Sequence, residues 1–244
     1  MQRMALIETK SADAWFTDGC RFEVMNSPDQ AREAYGQAVK ADPSFLPAHV
    51  NLGFMHLRDG DYEASLKCFT RALALQPETP ENLNNLGYIC ERMGRLGNAK
   101  RLYGKALVLD PENMEALIGL ANVAELEGDY FGAVRQYRKA IEANHEAPAP
   151  QYCLAVLYER HDMFDEAALL YEAVLKKDPL YTKAAFNLAN LKFQFGEFGQ
   201  AAMLYQRVLE VEPDNEGAWN GLATACENTG GPRVRRILRR LDYY

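Results

Sequence analysis

The sequence predicts an all-α protein, a solenoid of antiparallel helix pairs, on three observations. The first is a period of 34 residues: Pro43, Pro77 and Pro111 are 34 apart, as are Pro179 and Pro213. Three further columns keep that phase. Ala31, Ser65, Ala99, Ala133, Ala167 and Ala201 are small. Tyr35, Phe69, Tyr103, Tyr137, Tyr171 and Tyr205 are aromatic, and Ala38, Ala72, Ala106, Ala140, Val174 and Val208 follow them. A small residue also recurs earlier in each period, from Gly19, Gly53 and Gly87 to Ala223. The second observation is a helical period inside each repeat. Leu83, Leu86, Gly87 and Cys90 follow i, i+3, i+4, i+7, and Ala99, Leu102, Tyr103, Ala106 and Leu107 do so again. The third is turn chemistry between those stretches, at Gly60-Asp61, Gly94, Gly128-Asp129, Gly196 and Gly230-Gly231.

Each repeat therefore reads as first helix, glycine turn, second helix and proline stop. In the first, Ser27-Pro28-Asp29-Gln30 is an N-cap, a proline at the first helical position and a capping-box glutamine. The small column lets two helices approach closely, and the aromatic fills the space between successive pairs. Proline ends the second helix because it lacks a donor and clashes with the preceding turn. One hairpin cannot bury its apolar face, so the repeats must stack. The expected organisation is an N-terminal segment over 1–11, then six repeats at 12–45, 46–79, 80–113, 114–147, 148–181 and 182–215. A truncated seventh repeat and a capping helix fill 216–244. At the fourth junction His145 takes the place of proline, and Pro148 and Pro150 are expected to start the next helix.

Composition narrows the function. The 244 residues carry 27 Lys and Arg against 34 Asp and Glu, a net charge of −7, which disfavours nucleic acid. Five arginines against Asp242 make residues 233–244 locally +4. No apolar stretch approaches the roughly 18 residues of a membrane span, and the short patch Met4–Ile7 is too brief for a secretory signal. Cys20, Cys68, Cys90, Cys153 and Cys226 form no C-x-x-C pair and read as buried thiols of a reducing compartment, so a cytoplasmic protein is expected.

No catalytic or metal-binding constellation emerges and no cofactor is implied. His49 and His56 share a helix but stand on columns that pack between helices, and are read as core. Glu81, Glu115, Glu125 and Glu159 are read as solvated helix faces. The chain is expected not to be an enzyme and to take no small-molecule substrate.

The spacing resembles the tetratricopeptide repeat, W-x2-L-G-x2-Y, then A-x3-F, then P. Repeat one supplies Trp15, Gly19, Phe22, Ala31, Tyr35 and Pro43, and repeat three supplies Leu86-Gly87, Ala99, Tyr103 and Pro111. Asp18 departs from the pattern where repeat one should carry Leu. The resemblance implies a right-handed superhelical solenoid whose concave wall is built by the first helix of each repeat. By phase, that wall presents Phe16, Asn84, Tyr152 and Phe186 on one column and Asn51, Asn85 and Asn187 on the next. Phe54, Tyr88, Asn122 and Asn190 stand three residues further on, with Arg58, Arg92 and Arg160 toward the far end.

The implied function is a protein–protein interaction scaffold or adaptor, holding a peptide or partner helix in this groove. The asparagines read two ways, as partners for a peptide backbone or as local hydrogen-bonding groups. A grip on a C-terminal carboxylate is disfavoured: Asn122 and Lys183 match such a clamp, but Ile118, Cys153 and Asn187 do not. Two alternatives stay open. One is binding of nucleic acid or membrane through the Arg-rich C-terminal helix, where Val234, Ile237, Leu238 and Leu241 form an apolar stripe. The other is a regulatory subunit of an enzyme on another chain. Self-association through the end repeats is also left open.

Overall fold

Helices account for all the regular structure among the described residues. The computed structural model describes residues 10–76 and 78–229, and among these there are thirteen helices and no strand. The expected C-terminal helix and its arginines lie outside the described residues. The chain divides into two compact units that meet at Ala133 and Val134. In the first, α1 (Ala12–Val24) pairs with α2 (Pro28–Ala41), α3 (Leu46–Arg58) with α4 (Tyr62–Leu75), and α5 (Pro80–Arg92) with α6 (Leu96–Leu109), followed by α7 (Met114–Leu126). The division falls within α8 (Tyr130–Ala143). In the second, α9 (Pro148–Arg160) pairs with α10 (Phe164–Lys177) and α11 (Thr182–Gln194) with α12 (Phe198–Val211), before α13 (Glu216–Thr229).

The turns follow from local chemistry. Between first and second helices, Gly60, Gly94, Gly128 and Gly196 take φ between 69° and 79°, which a Cβ disfavours. Repeats one and five place Asn26 and Asp162 there, at φ 53° and 58°, the residue types that best tolerate this region. Four first helices are capped by side chains: Ser11, Thr79, Asn113 and Asn215 accept from the backbone N–H three residues on. Between second and first helices, Asp42 and Asp178 accept from the N–H two residues on, at 2.8 and 2.9 Å. Where proline is missing, Asn144 makes the same turn, accepting from Glu146 and Ala147, and Pro148 opens α9.

The columns read from the sequence are the core. Every member of the Ala31–Ala201 column and of the Ala38–Val208 column is fully buried, and the six aromatics are at most 3% exposed. Ser65 keeps its place there because its hydroxyl donates to the Gly53 carbonyl at 2.8 Å. The aromatic ring packs on glycine: a Cβ on Gly19, Gly53 or Gly87 would come within 2.4–2.7 Å of Tyr35, Phe69 or Tyr103. His49 is also core, with Nε2 3.0 Å from the Pro43 carbonyl, whereas His56 is half-buried 3.7 Å from Asp61.

Candidate functional site: the face of the first helices

The first helices carry two kinds of residue at the positions singled out by phase: those drawn into packing and those left on the surface. In the first unit, Phe16 is half-buried, its ring 5.5 Å from both Tyr35 and Phe45. Asn84 donates to Asn113 at 2.7 Å, while its own oxygen is buried without a partner. Arg92 donates through Nε and Nη2 to the Tyr62 hydroxyl at 3.2 Å and lies over that ring. Arg58 is exposed. Phe54 and Tyr88, at the same position of α3 and α5, are 45% and 43% exposed, Phe54 standing edge-on to Phe69 beneath it.

In the second unit, Tyr152 packs between Tyr171 and Tyr181, with centroids at 5.9 and 5.3 Å, and Phe186 lies edge-on to Tyr205. Asn190 is exposed and accepts from the Tyr205 hydroxyl at 2.6 Å. Arg160 is exposed at the end of α9.

The asparagine column divides by a rule that spans repeats. Asn51 donates to the Tyr35 hydroxyl at 3.0 Å, and Asn187 donates to the Tyr171 hydroxyl at 3.1 Å. Each asparagine follows its tyrosine by 16 residues. Asn85 follows Phe69 by the same 16, but phenylalanine has no hydroxyl. Asn85 therefore makes no side-chain hydrogen bond among the described residues and keeps its amide for something else.

Tyrosines of this column also reach back to a carboxylate 12 residues earlier. Tyr35 donates to Glu23, Tyr103 to Glu91 at 2.9 Å and Tyr171 to Glu159 at 2.6 Å. Glu125 and Glu159, expected on solvated faces, are instead half-buried, Glu159 in this bond, whereas Glu81 and Glu115 are exposed. The signal was in the sequence: repeat two has Leu57 where others have Glu, and there the aromatic is Phe69. In repeat six Phe193 takes that position and Asn190 becomes the acceptor. Burial first, and the neighbouring carboxylates second, push the Tyr35, Tyr103 and Tyr171 hydroxyls far above their usual range, so they stay neutral donors.

Glu91 also receives Asn122 Nδ2 at 3.5 Å. Burial holds its carboxyl above the usual carboxylate range, against the opposing pull of Tyr103, Asn122 and Arg92. A raised folded-state value means folding favours the protonated form. The stability this group contributes is fully present below the ordinary carboxylate range and is lost as pH rises through the raised value. Glu91→Gln removes that titration, so the variant should gain stability relative to wild type as pH rises above the ordinary carboxylate range. A pH-independent difference in urea midpoints would show that Glu91 titrates alike folded and unfolded.

Among the described residues no group of His, Cys, Asp and Glu is arranged to hold a metal ion, and no helix is long and apolar enough to cross a membrane. What the face offers is apolar rings, a free amide and guanidinium groups on rigid helices.

Three tetratricopeptide repeat profiles match the sequence, over residues 45–112, 91–152 and 160–226. The chain belongs to the tetratricopeptide repeat family. Solved structures share the tetratricopeptide architecture. Yeast Tom70 superposes with a TM-score of 0.73 at 21% identity, over 94% of this chain and 50% of that one. PilW, a type IV pilus biogenesis factor, gives 0.69 at 17% identity, over 86% of this chain and 98% of that one. The APC/C hetero-tetramer Cut9-Hcn1 gives 0.66 at 19% identity, and there the chain spans only 43% of its counterpart. At these identities the likeness establishes the fold alone. No curated protein sequence matches the chain.

Proposed function

We propose that this tetratricopeptide repeat chain is a non-catalytic scaffold of the cytoplasm that holds a peptide or helix of another protein on its first-helix face. The observation that carries this reading is the pair Phe54 and Tyr88. Two large rings at equivalent positions of successive repeats stay nearly half exposed, in a fold that buries its other aromatic column almost completely. Phe54 is already held edge-on to Phe69, and exposed aromatic rings with few rotatable bonds anchor protein interfaces. Asn85 lies three residues before Tyr88, with an unspent donor and acceptor for a peptide backbone. Arg58 and Arg92 close the same helices with positive charge for an acidic group. In the second unit Tyr152 adds a half-buried ring, Asn190 its amide donor and Arg160 a positive charge, while Asn51 of the first unit and Asn187 of the second are spent on tyrosine hydroxyls. Cut9-Hcn1, of similar fold, is itself a hetero-tetramer.

Affinity capture from the source cell tests this. Phe54→Ala with Tyr88→Ala should weaken the captured partner by about 2 kcal/mol or more, roughly 30-fold, the range of a paired anchor loss. Helical circular dichroism should be unchanged, because both rings are surface groups. Undiminished capture by the folded double variant would place the partner on another face.

A further inference from the structure

A second surface stands apart from the first-helix face. In the second unit a cleft of about 510 Å³ opens between α10 and α12, with Leu175, Leu188 and Leu204 in its floor and wall. Leu188 and Lys192 of α11 line it. By helical phase they point nearly opposite to Phe186, Asn187 and Asn190 on that same helix. The cleft is therefore separate from the proposed groove.

The repeats supply an internal comparison for its rim. At one position of the second helices, the first four repeats carry Glu33, Lys67, Arg101 and Arg135, as a solvated position should. Repeats five and six carry Leu169 and Met203 instead, and the structure leaves them 66% and 62% exposed. Met203 lines the cleft, and Leu169 stands one turn from Glu172 on the wall formed by α10. The change from charged to apolar thus occurs in the two repeats that frame the cleft.

The rim is cationic in a chain of net charge −7. Lys192 is held by Glu197 at 3.3 Å and lies 4.0 Å from Glu172. Lys176 of α10 and Arg207 of α12 also line the cleft and have no carboxylate partner among the described residues. An apolar floor with two unpaired cations, one from α10 and one from α12, matches a helix with one apolar face and acidic flanks.

We propose that the cleft between α10 and α12 docks an acidic amphipathic helix of another protein, its apolar side chains on Leu169, Leu175, Met203 and Leu204 and its carboxylates on Lys176 and Arg207. The first-helix face then holds one partner and this cleft a second, so the scaffold joins two proteins.

The test is fluorescence anisotropy on the full chain with a labelled helical peptide of Leu and Glu in amphipathic order, and with its Glu-to-Lys counterpart. The acidic probe should bind and the basic one should not. Binding should fall by about tenfold or more in Lys176→Glu with Arg207→Glu. It should fall likewise in Leu169→Glu with Met203→Glu, which places there the residue type that repeat one carries as Glu33 and so spares the fold. Phe54→Ala with Tyr88→Ala should have no effect, which keeps this outcome independent of the first-helix groove. Equal binding of both probes, or acidic-probe binding that survives both cleft variants, overturns the proposal. So does loss of the probe in the Phe54 and Tyr88 variant alone. Wild-type self-association in sedimentation that Leu169→Glu with Met203→Glu abolishes would assign the cleft to a second copy of the chain, and likewise overturns it.

Discussion

Tyr103→Ala is expected to lower the unfolding free energy by about 3–5 kcal/mol, the range for deleting a buried aromatic whose surroundings cannot collapse. Collapse is blocked on three sides. The ring is 3% exposed and lies between Gly87 of its own hairpin and Gly119 of the following helix, neither of which has a side chain to move inward. Its hydroxyl donates to half-buried Glu91, which would be left to Asn122 alone. Because the ring bridges α5, α6 and α7, its loss also weakens a contact between neighbouring repeats, on which solenoid stability depends. Tyr103→Phe keeps the ring and should cost only about 0.5–1.5 kcal/mol, the net value of a hydrogen bond. Adding Glu91→Leu copies the Leu57 and Phe69 pair of repeat two and should recover most of that loss. Urea midpoints at constant slope measure all three variants. A Tyr103→Ala cost below that of Tyr103→Phe would contradict the packing described.

Two glycines beside this ring should respond with opposite sign. A Cβ on Gly119 would sit 2.3 Å from the Tyr103 ring, so Gly119→Ala must displace a ring fixed at its far end by Glu91. The expected cost is about 1–3 kcal/mol, that of overpacking a filled core. Gly104 is the next residue along α6, and a Cβ there would meet nothing within 4 Å. Gly104→Ala should therefore stabilise by roughly 0.5–1 kcal/mol, by removing the backbone freedom of glycine within a helix. Thermal melts of the two variants decide the matter, and destabilisation by both would mean that helix propensity is not what Gly104 costs.

The fold is legible in the sequence because the interactions that build it repeat every 34 residues. The Ala99 and Ala106 columns, the Tyr103 column and the glycine turns each reappear with enough copies to be read without knowing any contact. The face is harder to read. Phase alone places Asn51, Asn85 and Asn187 together, yet Asn51 and Asn187 are spent on tyrosine hydroxyls while Asn85 is not. The difference depends on one oxygen atom, present in Tyr35 and Tyr171 and absent from Phe69, in a residue 16 positions away. Glu159 reads as a solvated carboxylate for a related reason: its partner lies 12 residues later on another helix, outside any single helical period. Both relations become readable once the repeats are aligned with one another. The cleft between α10 and α12 is only half readable: aligned repeats mark positions 169 and 203 as charged positions turned apolar, but not that the helices leave a cleft beside them.

Photocrosslinking from the first-helix face tests the central claim most directly. With p-benzoylphenylalanine in place of Tyr88, the captured partner should crosslink to the chain. The same group in place of Val108, which is 82% exposed at the end of α6, should give no crosslink to that partner. A partner that is captured yet crosslinks from position 108 and not from position 88 would contradict the account.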